Sequence, residues 1–362
     1  MANQVLLEEI KKRFKFCVVS FIIPFYVELD RCKIKRMYFG ITSFLFGIKK
    51  TTTRITELQT SLSISFANGV WIDRSFGLNP SYKRILEGSY NAKAKEVDFA
   101  NKVDQVINEV NSWVKNETKG LIKNLLPLGS LYDDTALLFV NALHCKGQWD
   151  QKFDKTCTRN MNFHLLDGEI VQVPFMTSKS DSHHLYRLFG GYKILSIPYH
   201  GSNFSMYFFL PNETDGLPKL VKKLKSNPGF MNQEFGLRKE DVSKLWIPRF
   251  KFSFEFEASE TIMQMGLKLP FMNVGELIEI VVVGGVERSG LFLSKVFHKS
   301  CIEVNEEGTK AAASIASTYR LVSLRIPTPI FVADHPFMFM VREETSGAVL
   351  FTGVVLNPLL VA

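Results

Sequence analysis

Cysteine is scarce in this chain, and what there is forms no pattern. Five cysteines (Cys17, Cys32, Cys145, Cys157, Cys301) are spread over 362 residues with no Cys-x-x-Cys pair. That excludes a disulfide framework and a cysteine-based zinc site, and it suits a reducing compartment or a secreted protein independent of bridges. Membrane-length apolar runs are missing too. Phe16–Tyr26 is largely apolar, but its 11 residues fall short of the roughly 20 that a membrane helix needs. With Lys11–Lys15 before it, the run faintly resembles a signal sequence, yet Tyr26-Val27-Glu28-Leu29 offers no small-x-small cleavage site. No cleaved signal is expected, and extracellular space and cytoplasm both stay open.

Catalytic motifs are also lacking. There is no Gly-x-Ser-x-Gly, no His-Glu-x-x-His, no Walker loop, and no Gly-x-Gly-x-x-Gly after a strand. Seven histidines are scattered. Adjacent His183 and His184 would point apart on a strand or helix and read as an exposed loop pair. Cys301 near His298 has no third orienting group in view and reads as structural. The expectation is a protein that is not an enzyme and needs no metal and no cofactor.

The net charge is +8, unevenly held. Residues 1–60 carry eleven Lys and Arg against five Asp and Glu, which is +6 and leaves +2 for the rest. A nearly neutral body gives no reason to expect nucleic-acid or membrane binding, and the basic lead-in reads as a solvated segment.

What is present is a strand-rich pattern with segregated helices, and with 31 phenylalanines. Ser63–Ile72 reads as a strand, and residues 80–90 and 102–117 carry helical spacing. Ala136–Leu143 is apolar except for Asn141, as in a buried strand. Lys193–Pro198 and Asn203–Leu210 read as two strands joined by the turn residues His200-Gly201-Ser202-Asn203. Residues 217–227 read as a helix. Phe250, Phe252, Phe254 and Phe256 alternate with Lys251, Ser253, Glu255 and Glu257, an aromatic face against a wet one. Helical spacing follows through Met263 and Leu267. Phe337–Arg342 and Ala348–Leu356 form a hairpin over Glu344-Thr345-Ser346-Gly347. The class that fits is α+β. Residues 1–61 read as an atypical basic segment, and 62–362 as one domain.

Residues 303–330 break this pattern. Lys310-Ala311-Ala312-Ala313-Ser314-Ile315-Ala316-Ser317-Thr318 has no large apolar face and little Gly or Pro. A stretch of that length without anchors inside a compact domain is functional or disordered.

Here the sequence resembles a known family. Glu306-Glu307-Gly308-Thr309, followed after Lys310 by Ala311, Ala312 and Ala313, is similar to the hinge of serpin reactive-centre loops. Phe331-Val332-Ala333-Asp334-His335-Pro336-Phe337 is similar to the signature just downstream. Phe66–Asp73, Asn141-Ala142-Leu143, Lys146-Gly147-Gln148-Trp149 and His298–Val304 resemble plant serpins in the same order, from about Leu62 to Pro358. Residues 1–61 lack the Phe-Ser-Pro-x-Ser motif of the family's buried helix, so the N-terminal helices read as missing or divergent.

The resemblance implies three β-sheets with surrounding helices and an exposed loop at about 306–330. It implies an inhibitor of serine proteases, with papain-like cysteine proteases as a cross-class target, acting as a monomer that forms a covalent complex. Counting from the hinge puts the cleaved bond at Val322–Ser323. Counting back from Phe331 gives Arg320–Leu321, and Arg325–Ile326 is a third candidate. Asn141 and His298 resemble the shutter pair beneath the central sheet, and Trp149 the tryptophan at the breach. Arg249 is expected to pair with Glu306. A serpin-fold protein that binds partners or is merely cleaved, without inhibiting, is the alternative.

Overall fold

The computed structural model describes residues 62–360, apart from 179–182, 202, 228, 265, 274–276, 278–279, 283–290 and 308–327. The chain starts with β1 (Leu62–Asp73), α1 (Pro80–Tyr90), β2 (Ala92–Val97), α2 (Phe99–Glu117) and β3 (Leu137–Gly147). Next come β4 (Arg159–His164), β5 (Ile170–Met176), β6 (His183–Phe189), β7 (Tyr192–Pro198) and β8 (Phe204–Pro211). After α3 (Leu217–Lys225) lie β9 (Arg238–Asp241), β10 (Lys244–Pro248), β11 (Phe250–Glu257) and α4 (Ser259–Gln264). The last strands are β12 (Lys295–Val304), β13 (Ile330–Val332), β14 (Phe337–Glu343) and β15 (Val349–Val355).

They build three sheets. Sheet A has five strands in the order β11-β12-β3-β1-β2; sheet B has six, β15-β14-β8-β7-β6-β9; sheet C has four, β13-β10-β5-β4. One apolar cluster lies between sheet A and α2, another on the opposite face of sheet A with α1 and α4, and the largest joins the upper part of sheet A to sheets B and C.

Local chemistry accounts for the elements. In α1, Asn79 caps Ser81 N at 2.9 Å, Pro80 opens the helix, and Asn91 closes it at φ 47°. In α2, Asp98 accepts from Asn101 N at 3.1 Å, and Phe99, Val106, Ile107, Val110 and Val114 are buried on one side. That side meets Trp71, whose ring covers Gly69 so closely that a Cβ there would lie 2.3 Å from it.

Several expectations need correction. The helix after Ala258 ends at Gln264 rather than reaching Leu267, because Gly266 turns at φ 103°. His183 and His184 lie on β6, not in an exposed loop; His183 is exposed, while His184 is buried and meets Ser178 Oγ at 3.1 Å. Along β11 the alternation holds, but Phe252 and Phe254 are only half-buried, since β11 is an edge strand.

Candidate functional site

The centre of sheet A is a seam between β3 and β12. These strands run parallel and bond directly to each other, in register from Leu138–Lys295 to Lys146–Glu303. Asn141 and His298 are register partners there, and His298 Nδ1 lies 2.7 Å from Asn141 Oδ1. Asn141 Nδ2 donates to Asn68 Oδ1 on β1 at 2.6 Å. With its amide N–H committed to Asn68, Asn141 accepts through Oδ1, so His298 carries its proton on Nδ1. The ring of Phe256 meets His298 edge-on at 5.7 Å. Burial pushes the His298 pKa down to about 4, so the ring is neutral near pH 7.

At the top of the seam, Trp149 donates its indole N–H to the Asn305 carbonyl at 2.7 Å and stacks on Tyr199 with centroids 4.7 Å apart. The next residue, Glu306, is buried. Thr158 Oγ1 donates to Glu306 Oε1 at 2.6 Å, and Arg249 Nε stands 3.5 Å from Oε2. Glu307 is met by Lys146 at 3.1 Å and Lys155 at 3.5 Å. The hydrogen bond and charge of Lys146 hold its carboxyl below the usual range. Glu303 is met by Lys146 at 3.4 Å and Lys251 at 3.7 Å. A polar cavity of about 250 Å³ opens among Lys155, Thr158, Arg249, Asn305, Glu306 and Glu307. Carboxylates from the end of β12 and just beyond it are thus tied to β3, β11 and the segments flanking β4 and β10.

The residues named from the sequence divide accordingly. Asn141 bonds His298, and Arg249 meets Glu306. Gly308, Thr309, Lys310, Ala311, Ala312 and Ala313 lie outside the described residues, as do Arg320, Leu321, Val322, Ser323, Arg325 and Ile326 and the whole of residues 1–61. The chain is described again from Thr328, where Ser243 N donates to the Pro329 carbonyl at 2.9 Å and β13 pairs with β10. His298 and Cys301 are three apart on one strand, so they face opposite sides of sheet A and form no nucleophile pair. Burial raises the Cys301 thiol, which keeps it protonated. Among the described residues no group of three His, Cys, Asp or Glu is placed to hold a metal ion. Sequence reasoning missed Thr158, Lys155 and His144; only the last carries a local signal, a histidine in an apolar strand.

A family model described as serpin (serine protease inhibitor) matches residues 42–358. The chain belongs to the serpin family. It is 46% identical to Serpin-Z4 of Arabidopsis thaliana over 310 residues, 83% of this chain and 77% of that one. It is 45% identical to Serpin-ZX of Hordeum vulgare over 304 residues, 82% and 75% of the two chains. Among solved structures, it is similar to Arabidopsis AtSerpin1 in its native stressed conformation. The TM-score is 0.78 and the identity 43%, with 88% of this chain and 82% of that one covered. Uncleaved ovalbumin is similar at TM-score 0.74 and 25% identity, covering 86% and 78%. This serpin therefore has plant relatives, and its three-sheet α+β architecture is that of the family.

Proposed function

We propose that this serpin is not an enzyme but a suicide substrate that traps a serine protease. The segment between Glu307 and Thr328 is the bait. The protease's serine oxygen bonds to the carbonyl carbon of Val322, or of Arg320. The amide to Ser323, or Leu321, breaks, and its nitrogen leaves with a proton. The resulting ester is the acyl-enzyme. Insertion of the freed loop into sheet A then carries the protease away before water completes hydrolysis.

The observation that supports this most is the direction of the seam. β3 and β12 run parallel, and β12 leads straight into Glu306 and Glu307. A strand that turns back from the end of β12 runs antiparallel to both neighbours, so it can form full ladders on either side. The seam must part for this, and the Asn141–His298 bond is the side-chain link across it at mid-height. Trp149, Arg249 and Thr158 fix the point from which the loop starts. Thr309, Ala311 and Ala313 would face the core, and their small side chains suit it. Lys310 and Ala312 would face outward. Val322 suits an elastase-like protease and Arg320 a trypsin-like one.

The test is an SDS gel after mixing the full chain with trypsin, an elastase and a papain-like protease. A stable band at the summed mass with at least one of them is the expected result. A band with papain would add cross-class inhibition. Sequencing the released C-terminal peptide decides between Ser323 and Leu321 as its first residue. Loop cleavage with no such band for any protease would overturn the proposal.

A further inference from the structure

His144 lies on β3 three residues beyond Asn141, and so on the opposite face of sheet A from the Asn141–His298 bond. Its register partner across the seam is Cys301, and across β1 it is Ser65. The residue is 1% exposed, and neither ring nitrogen has a hydrogen-bond partner among the described residues. A neutral imidazole has one N–H and one acceptor nitrogen, and both are here stripped of water without replacement.

The charged groups around it do not compensate. Lys146 shares its strand, Glu303 and the thiol of Cys301 face it from β12, and Lys251 faces it from β11. Glu303 is the acid among them, and it is already met by Lys146, by Lys251 and by the Asn305 amide at 2.8 Å. Its charge still favours a proton on the ring, but burial opposes that proton more strongly.

We propose that His144 is a gating residue of the β3–β12 seam: its unpaired ring weakens the closed sheet, and its protonation in mild acid weakens it further. Opening the seam admits water to both nitrogens, so any opened state is relieved of the penalty that the closed state bears. Protonation sharpens the contrast, because a buried cation between lysines is worse than a buried neutral ring. Burial accordingly holds the ring below its ordinary value of 6.5, against the pull of Glu303 and with Lys251 and Lys146 adding to it. Below pH 6.5 the opened state therefore takes up a proton that the closed state refuses. The role in loop insertion rests on the inhibitory reading above; the control of seam opening does not.

The experiment is hydrogen exchange read by mass spectrometry on the peptides covering β3 and β12, for the full chain and for His144→Phe, between pH 7.5 and 5, corrected for intrinsic exchange. Phenylalanine keeps a planar ring, slightly larger than imidazole, and removes both polar atoms. The expected result is slower exchange of both strands in the variant already at pH 7. The gap should widen as pH falls, by up to about tenfold per pH unit below 6.5. His298 titrates in both chains and cancels from the comparison. His144→Gln, polar but not titratable, should exchange nearly as fast as the parent at pH 7 and diverge only in acid, which keeps the test open if phenylalanine does not fold. Equal exchange of parent and variants at every pH overturns the proposal. An exchange gap in a chain that forms no covalent adduct supports the gate while removing the inhibitory reading. An adduct without a gap does the reverse.

Discussion

Asn141 and His298 are register partners on two parallel strands, and their side chains bond across the seam at 2.7 Å, with Asn68 continuing the link to a third strand. The pair joins the strands that the proposed mechanism must separate. Asn141→Leu removes an acceptor from buried His298 and a donor from buried Asn68. The expected loss is about 2–3 kcal/mol of stability, measured by urea unfolding followed by circular dichroism. A change below the error of that measurement would mean the bond does not hold the sheet.

The acid side of the stability curve should be governed by buried histidines. Burial lowers His298 and His184 to about 4, and lowers His144 too. Each is neutral in the fold and takes up a proton in the unfolded chain near pH 6.5, so each contributes stability that is complete above 6.5 and lost as pH falls. For His298 alone the loss approaches roughly 3 kcal/mol by pH 4. Thermal melts between pH 7.5 and 4.5 should show a falling midpoint, and His298→Gln should flatten the slope. A midpoint independent of pH over this range would contradict the burial of all three.

Just beyond the end of β12, two contacts on one carboxylate should differ in value. Glu306 is buried; Arg249 is half exposed, with 47% of its side chain open to solvent, and lies 3.5 Å away, whereas the Thr158 hydroxyl donates at 2.6 Å. A partly exposed ion pair contributes about 0–1 kcal/mol. A charge-assisted hydrogen bond to a buried group contributes about 1.5–3 kcal/mol. Thr158→Val should therefore destabilise more than Arg249→Ala in urea titrations. The reverse order would make the arginine the main support of Glu306.

These residues show where sequence reading reaches and where it stops. The phenylalanine alternation of β11, the C-terminal hairpin and the apolar strand around Asn141 rest on periodicity over a few residues, and the fold keeps them. Asn141, His298, Trp149 and Arg249 were reached only through likeness to serpins, because a buried Trp or Asn is by itself ordinary core. Thr158 escaped, since its partner Glu306 lies 148 residues away and nothing local marks a threonine as the donor to a buried acid. The β3–β12 seam escaped for the same reason: a parallel pairing of distant strands leaves no trace in either strand's own pattern.

Trp149 provides a local test at the end of β12. Its indole N–H is the donor recorded for the Asn305 carbonyl, and its ring lies flat on Tyr199. Trp149→Phe keeps an aromatic ring on Tyr199 and deletes the hydrogen bond, for an expected cost of about 1–3 kcal/mol. Trp149→Ala also opens a cavity and should cost about 3–5 kcal/mol. Circular dichroism melts separate the two. If phenylalanine were as damaging as alanine, packing area rather than the bond to Asn305 would be what the site requires.

The loop itself can be tested by its alternation. If the segment after Glu307 enters sheet A as a strand, side chains of one parity go into the core and those of the other stay outside. Thr309→Arg and Ala311→Arg place a long cation on the inward parity, where burial without a partner is prohibitive. Lys310→Glu and Ala312→Arg place charge on the outward parity, where water remains. If the chain traps as proposed, the first pair should leave it a plain substrate: the loop is cut and the covalent band on the gel is lost. The second pair should leave the band within a few-fold of the parent. Both parities would leave the loop cleavable, so cleavage alone does not discriminate, and the ratio of adduct to cleaved product is the quantity to read. If both parities abolish the adduct equally, the loop acts by some route other than strand insertion; if neither does, insertion is not what traps the protease.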